Sequence, residues 1–273
     1  MREFAWRDGQ VIRWDRFGTG PAVVFCHGTP WSSELWRPIA TALSSRHTVY
    51  LWDMPGYGRS TQADGQDVSL ATQGEALADL IRHWGLDDPV VVAHDYGGAV
   101  SLRAHLLGRM PYRALALVDV VALRPWGSPF FRLVAENAEV FAALPDPLHE
   151  ALVRAYVAVA AHRPLRAEDH DILVRPWLGA TGKAAFYRQI AQAGERYTDE
   201  IEPLYPSLDL PVLVVWGADD TWIPVDRAHT LAETIPGGEL HVVPDAGHLI
   251  QLDAPERLTA ILADWLARVG MVR

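Results

Sequence analysis

The segment from Pro89 to Leu102, PVVVAHDYGGAVSL, constrains the fold more than any other part of the chain. Its first five residues are apolar and mostly β-branched, which predicts a short buried strand, and the residues from Ala99 onward have the composition of a helix. The two glycines before Ala99 would let the strand and helix backbones approach closely enough for a sharp turn. The segment therefore predicts a strand-turn-helix unit with Asp95 at its apex.

This corner resembles the nucleophile elbow of the α/β-hydrolase superfamily, in which small residues flank a nucleophile on a strained strand-to-helix turn. Most members carry Ser at the apex, whereas this chain carries Asp95. A carboxylate is already ionised at neutral pH, and its product with a saturated carbon is an ordinary alkyl ester. The resemblance therefore implies displacement at carbon, as in epoxide hydrolases and haloalkane dehalogenases. The alternative is that Asp95 only caps the following helix.

A second motif, His27-Gly28-Thr29-Pro30, follows a predicted strand and resembles the HGxP motif of the same superfamily. In that family the motif implies an oxyanion hole, which here would consist of the backbone N–H groups of Thr29 and Tyr96. We expect His27 itself to be a structural hydrogen-bonding residue, because it comes too early in the chain to be the base.

Two later loops complete the pattern. The segment GADDTWIP resembles the superfamily motif G-x-x-D-x-x-x-P and makes Asp220 the expected triad acid, while DAGHL resembles the loop that carries the catalytic His, here His248. The order Asp95, Asp220, His248 reproduces nucleophile, acid and base. Asp119 remains an alternative acid, since it ends the strand at which some dehalogenase relatives keep theirs. This chemistry requires no cofactor, and the histidines near the C-terminus lack metal-ligand spacing.

Buried strands alternate with helical segments, which predicts an α/β protein with βαβ units and a mainly parallel sheet entered through an antiparallel hairpin. The resemblance implies an α/β-hydrolase fold with eight strands and helices on both faces. From about residue 125 to residue 205 the strand pattern gives way to helices broken by prolines. We therefore predict a core domain of residues 1–124 and 206–273 and a helical cap of residues 125–205 that excludes water from the pocket.

The sequence leaves two alternatives for the group that is displaced from the substrate carbon. An epoxide oxygen leaves as an alkoxide and needs an acid, usually two cap tyrosines in epoxide hydrolases, for which Tyr187 and Tyr156 are the candidates. A halide needs N–H donors, and this chain has Thr29 and Tyr96 where haloalkane dehalogenases typically have Asn and Trp.

Indole N–H groups are the remaining candidates for a halide site, and Trp31 and Trp126 are the two we favour. On balance we expect epoxide hydrolysis to a diol. The alternatives are a haloalkane or haloacid dehalogenase with the same triad, and a cap-gated ligand-binding protein without catalysis.

Composition limits the partners. A formal charge of −10 and an isoelectric point near 5.5 argue against nucleic acid or an anionic membrane surface as partner. Cys26 is the only cysteine, so no intramolecular disulfide forms, and no apolar run reaches the length of a membrane span. We expect a cytoplasmic monomer or homodimer that acts on a small apolar organic substrate and water.

Overall fold

A single eight-stranded sheet forms the centre of the protein in a computed structural model that describes residues 1–271. The strands run in the spatial order β1-β2-β4-β3-β5-β6-β7-β8. The first two pairings are antiparallel and the remaining five are parallel. The strands are β1 (Arg2–Ala5), β2 (Val11–Gly18), β3 (Ala22–Cys26), β4 (Thr48–Trp52), β5 (Val90–Asp95), β6 (Ala114–Val120), β7 (Val212–Gly217) and β8 (Glu239–Val243). The sheet prediction, including the antiparallel entry, is confirmed.

Twelve α-helices connect or follow these strands within the described residues. They are α1 (Arg37–Leu43), α2 (Leu70–His83), α3 (Tyr96–Leu106), α4 (Pro129–Glu136), α5 (Ala138–Ala142), α6 (Asp146–Ala158), α7 (Ala167–Val174), α8 (Gly179–Ala191), α9 (Arg196–Asp199), α10 (Asp226–Thr234), α11 (Ile250–Asp253) and α12 (Pro255–Met271). None of the helices in residues 1–271 is both long and apolar enough to cross a membrane.

Both faces of the sheet are buried. Along β3, Val24 and Cys26 belong to one apolar cluster, whereas Val23 and Phe25 belong to the cluster on the opposite face. Successive side chains of a strand point to opposite faces, so a continuous apolar run such as AVVFC is what a strand covered on both sides requires. The parallel strands bring their carboxyl ends to one edge of the sheet, where ligands of open α/β sheets bind.

Helices α4 to α9 all lie between β6 and β7 in the chain, and several of them reach the loops at this edge. The Trp177 indole donates to the Pro30 carbonyl (2.7 Å), and Gln189 on α8 accepts a hydrogen bond from the Thr29 hydroxyl (2.7 Å). These contacts place the insertion over the HGTP loop. The division into a core and a cap at residues 125 and 205 stays a prediction, and "cap" is used below for residues 125–205.

The corner at Asp95 is tighter in the structure than the sequence predicts. Strand β5 continues to Asp95 and helix α3 begins at the next residue, Tyr96, rather than at Ala99. Asp95 therefore makes the whole turn with φ of 51° and ψ of −121°. Within the cap, Asn137 separates α4 from α5.

Glycine is required at this corner because α3 starts against the backbone of β3. A Cβ atom on Gly97 would lie 2.7 Å from the carbonyl oxygens of Cys26 and His27. We expect Gly97→Ala to lower the free energy of unfolding by about 1–3 kcal/mol, because backbone atoms cannot move aside as a flexible side chain does. Urea unfolding followed by circular dichroism measures the change.

Gly270→Ala is the matched control, because a Cβ there meets no atom within 4 Å. It is expected to leave the free energy of unfolding unchanged or to raise it by up to about 1 kcal/mol. Equal stability of the two variants would contradict the close approach of α3 and β3.

Candidate active site

Asp95 lies at the carboxyl end of β5 with its side chain held from one side. The backbone N–H of Thr29 donates to Asp95 Oδ1 at 2.6 Å. A Cβ on Gly28 would lie 2.2 Å from the same oxygen, so only glycine at residue 28 lets the HGTP loop come this close. The positive φ of Asp95 is rarely adopted by residues other than glycine and costs of the order of 1–3 kcal/mol. The position of this carboxylate therefore lowers the stability of the folded protein by about that amount.

Only one of the two predicted oxyanion donors contacts the carboxylate. Within residues 1–271 the Tyr96 amide makes no hydrogen bond to Asp95, although it is the first amide of α3 and directly follows Asp95. Donors of this kind are placed for the oxygen of a tetrahedral intermediate rather than for a planar ground state. The role of the Tyr96 amide stays a prediction.

His248 and Asp220 meet Asp95 at this edge. The imidazole places Nε2 3.4 Å from Asp95 Oδ2 and Nδ1 2.9 Å from Asp220 Oδ2. Asp220 Oδ1 accepts from the backbone N–H groups of Trp222 (2.8 Å) and Ile223 (2.9 Å), which hold the carboxylate in place. The structure thus brings together the three residues predicted as nucleophile, acid and base.

Two opposing effects act on the His248 ring. Complete burial lowers the pKa of His248, but the Asp220 carboxylate and, behind it, the Asp95 carboxylate raise that pKa well above its ordinary value. The two carboxylates on either side of the ring therefore favour its imidazolium form.

Asp119 lies near this pair but does not accept a hydrogen bond from His248. Its Oδ1 accepts from the backbone N–H of Gly217 (2.8 Å), and its carboxyl faces that of Asp220. Asp220, and not Asp119, bonds the imidazole in this structure. Which of the two is the triad acid stays a prediction, and the geometry favours Asp220.

Two further histidines close the underside of the site. His94 Nε2 donates to the His248 carbonyl oxygen (2.9 Å), and its ring lies 4.8 Å from the His248 ring. Burial lowers the pKa of His94 to about 3, with His248 as the second cause. His27 accepts from the Met54 amide and contacts the Gly28 carbonyl, the structural role expected from its position in the chain.

A cavity of about 100 Å³ opens above Asp95. Its walls come from both the core and the cap and are mostly aromatic and aliphatic. They are formed by Thr29, Asp95, Tyr96, Val121, Trp126, Gly127, Ser128, Phe131, Tyr156, Thr221, Trp222 and Ile223. The volume is below the roughly 300–1,000 Å³ of pockets for drug-sized ligands, so the cavity suits a molecule of few non-hydrogen atoms. The lining has no Lys or Arg to hold a substrate carboxylate.

Two phenols share this cavity with Asp95. Tyr96 comes from the elbow, and its hydroxyl is buried with no hydrogen-bond partner in the part of the chain that the structure describes. Tyr156 comes from α6 in the cap. Burial, together with the charge of Asp95, raises the pKa of both hydroxyls well above the ordinary value. Both phenols therefore remain protonated.

Tyr187, the other expected ring-opening phenol, does not line the cavity. Its hydroxyl contacts Nδ1 of the buried His149 at 2.8 Å, while His149 Nε2 contacts the Trp177 carbonyl at 2.8 Å. A carbonyl only accepts, so the imidazole proton is on Nε2, and Nδ1 must accept from Tyr187. The Tyr187 hydroxyl is therefore hydrogen-bonded to another cap residue, a pairing that the sequence spacing does not predict.

The two favoured indoles differ from each other. Trp126 lines the cavity, but its Nε1 donates to Thr198 Oγ1 (2.9 Å). Trp31 is buried outside the cavity lining and stacks on Trp222, and its Nε1 has no partner among residues 1–271. Neither places a free indole N–H on the cavity wall.

Trp222 and Gln189 are among the residues of the site that the sequence did not indicate. Trp222 lines the cavity and stacks on His248 with ring centres 5.1 Å apart, and it is the second residue after Asp220 in the GADDTWIP motif. Gln189 links the cap to the Thr29 and Tyr57 hydroxyls, and only its position two residues after Tyr187 gave a signal.

One group of possible metal ligands lies outside the cavity among the described residues. His162, Asp219 and Asp245 are exposed and bring ligand atoms within 4.8 Å of one another. His162 Nδ1 lies 3.4 Å from Asp219 Oδ2.

Comparison with known proteins agrees with this architecture. Residues 21–255 match the family model described as the alpha/beta hydrolase fold. Because the match covers most of the chain, the protein belongs to the α/β-hydrolase family, and it is a hydrolase.

Individual relatives carry different descriptions. Haloalkane dehalogenase 2 of Mycobacterium tuberculosis is 29% identical, over 90% of this chain and 88% of that protein. An α/β-hydrolase fold protein from Burkholderia ambifaria is 46% identical with a TM-score of 0.93, over 96% of this chain and 97% of that one. The haloalkane dehalogenase DatA from Agrobacterium tumefaciens C58 is 21% identical with a TM-score of 0.84, over 98% and 97% of the two chains, which shows a shared fold.

His94 makes stability depend on pH in a way that a variant isolates. The folded pKa of about 3 lies below the ordinary value of 6.5, so below pH 6.5 the unfolded chain binds a proton that the folded protein does not. The difference in unfolding free energy, wild type minus His94→Gln, is therefore expected to decrease by about 1.4 kcal/mol for each unit by which the pH is lowered from about 6.5 to about 3. Chemical unfolding at a series of pH values measures the difference. A difference that stays constant over this range would contradict a neutral buried His94.

Proposed function

We propose that the protein hydrolyses a small apolar substrate at a saturated carbon through an ester on Asp95, and that the preferred substrate is an epoxide. The observation that carries the proposal is that a nucleophilic carboxylate and two protonated phenols, Tyr96 and Tyr156, line one cavity. A carboxylate alone fits any displaced group, whereas two phenols suit a leaving oxygen that needs a proton.

In the first step Asp95 Oδ2 forms a bond to an epoxide carbon as the carbon–oxygen bond breaks. The thiol and hydroxyl nucleophiles of other hydrolases need a base to remove their proton before such an attack, but an ionised carboxylate does not. The oxygen that leaves is an alkoxide, a stronger base than a phenolate, and it takes the proton of Tyr96 or Tyr156. Thr29 N–H stays on Asp95 Oδ1, which becomes the carbonyl oxygen of the ester.

The second step depends on a change in charge that the first step produces. Ester formation neutralises Asp95, and with it one of the two carboxylates that raise the pKa of His248. The ring then gives up its proton, which replaces the one that the phenol lost in the first step, and the neutral ring can serve as base for a water molecule that attacks the ester carbonyl. The Thr29 N–H holds the oxyanion. When the intermediate collapses, its remaining hydroxyl proton passes to the leaving alkoxide, which releases the diol and restores the Asp95 carboxylate.

A dehalogenase with the same residues is the second candidate, and it is favoured by the similarity to haloalkane dehalogenase 2 over nearly the whole chain. Against it stands the engagement of the Trp126 indole by Thr198 and of the Thr29 hydroxyl by Gln189. A halide would depend on the phenol of Tyr96 in their place.

A variant that stops the second step tests the ester directly. In His248→Gln the base is lost, so an alkyl ester on Asp95 is expected to accumulate when the protein meets a reactive substrate. Intact-protein and peptide mass spectrometry measure it after exposure to small epoxides and haloalkanes. An epoxide adds its whole mass, whereas a haloalkane adds its mass minus that of the hydrogen halide, so the adduct identifies the leaving group.

The double variant His248→Gln/Asp95→Asn is the control and is expected to show no adduct. Absence of any adduct in the single variant with both substrate panels would contradict catalysis through Asp95 and favour a binding protein.

The phenols allow a second test in the same background. Removing the hydroxyl with Tyr96→Phe or Tyr156→Phe is expected to slow ester formation from an epoxide by roughly 10²- to 10⁴-fold, the usual contribution of a general acid. Ester formation from a haloalkane is expected to respond less. Rates come from a time course of adduct mass.

Tyr187→Phe is the matched control, because its hydroxyl is bonded to His149 away from the cavity. It is expected to keep the rate of ester formation while lowering the stability of the cap. A large loss of rate in Tyr187→Phe, with Tyr96→Phe and Tyr156→Phe unaffected, would show that the cap rearranges before it binds an epoxide.

A further inference from the structure

Asp119 is a buried carboxyl for which the proposed mechanism has no use. It lies one residue before the end of β6, is fully buried and has a positive φ of 44°. Strand β7 pairs with β6 and leads into the loop of Asp220, so the two side chains emerge from neighbouring strands at the same edge of the sheet. The Asp119 carboxyl faces that of Asp220, and its Oδ2 is buried without a hydrogen-bond partner among residues 1–271.

The donors around the three carboxyls are unequally shared. Asp95 has the Thr29 amide and the His248 ring, and Asp220 has two backbone amides and the His248 ring. Asp119 has only the Gly217 amide on Oδ1, while its Oδ2 is buried without a partner among residues 1–271. Of the three, Asp119 has the least stabilisation of a negative charge.

The charges around these groups also favour a neutral Asp119. Asp119 is faced by Asp220 and His248, and His248 is faced by Asp95, Asp220 and His94. With three ionised carboxylates, a single imidazolium would leave two uncompensated negative charges in a buried site. Burial, followed by the charge of Asp220, raises the pKa of Asp119 well above its ordinary value.

Two ionised carboxylates only accept hydrogen bonds, so the buried Oδ2 of Asp119 can bond to its neighbour Asp220 only if one of the two groups keeps a proton. We propose that Asp119 keeps its proton at neutral pH and donates it in a hydrogen bond to Asp220, which makes Asp119 a positioning residue for the acid. The O–H spreads the charge of Asp220 and weakens its attraction for the imidazolium. Asp119 thereby holds down the basicity of His248, and a less basic ring loses its proton sooner when the ester on Asp95 has formed. Only this last consequence rests on the proposed function.

A pair of variants separates a neutral Asp119 from an ionised one. Asp119→Asn keeps a donor for Asp220 and an acceptor for the Gly217 amide, so the pKa of His248 is expected to stay near that of wild type. Asp119→Ala removes the donor, and the pKa of His248 is expected to rise by roughly one unit. Nuclear magnetic resonance titration of the labelled His248 ring measures both without any substrate.

An ionised Asp119 gives the opposite sign. Neutralising it in Asp119→Asn would then remove a negative charge and lower the pKa of His248, and a clear decrease in this variant overturns the proposal. If Asp119→Ala does not fold, Asp119→Asn alone still decides between the two signs.

Infrared difference spectroscopy gives a second readout. A protonated carboxylic acid has its own carbonyl stretching band, which is expected in wild type at neutral pH and is expected to be lost in Asp119→Asn. Its absence from wild type overturns the proposal. Asp219→Asn removes a half-exposed carboxylate next to Asp220 and is expected to keep both the band and the pKa of His248.

When a substrate is known, the pH dependence of ester hydrolysis offers a third readout. Its acidic limb is expected to move to higher pH in Asp119→Ala and to stay in place in Asp119→Asn. Failure to find a substrate would count against the proposed function alone, because the resonance and infrared measurements do not use one.

Discussion

The bond between the Thr29 amide and Asp95 is the interaction on which the rest of the site depends. It requires Asp95 to occupy a backbone conformation that non-glycine residues rarely adopt, and it requires the HGTP loop to touch the elbow. Glycine at residue 28 lets the HGTP loop reach Asp95, and glycine at residue 97 lets α3 begin against the end of β3. A Cβ at either position would overlap neighbouring atoms. A rigid parallel sheet beneath the corner supplies the packing that offsets the strain.

Charge balance is the second constraint. The site buries three carboxyl groups and places one imidazole between two of them. The charge of His248 is therefore tied to the state of Asp95, because an ester at Asp95 removes one of the two carboxylates that stabilise the imidazolium. Such coupling would let one histidine act as a counter-ion before the first step and as a base after it. Neutral His94 beneath the ring adds no further positive charge that would oppose this arrangement.

The cap supplies part of the cavity wall above Asp95. It contributes Tyr156, Phe131 and Trp126 to the cavity, and through Gln189 and Trp177 it bonds the loop that carries the Thr29 donor. A substrate that displaces the cap would therefore disturb the oxyanion donor as well. The small volume and the aromatic lining agree with a compact neutral substrate, and the two phenols agree with an oxygen leaving group.

The sequence by itself determined the strands, their order of connection and the three motif loops, because apolar runs and glycine-containing corners are local features of the chain. It also indicated Asp95, Asp220 and His248 as nucleophile, acid and base from their motifs and their order in the chain. It did not determine the sharpness of the elbow, which helix α3 and β3 impose on each other. Nor did it determine the partners of cap side chains: Tyr187 is bonded to His149, and Tyr96 rather than Tyr187 is among the residues that line the cavity. These choices belong to the tertiary structure, because the direction of a helical side chain and the protonation of a buried carboxyl depend on neighbours far away in the chain.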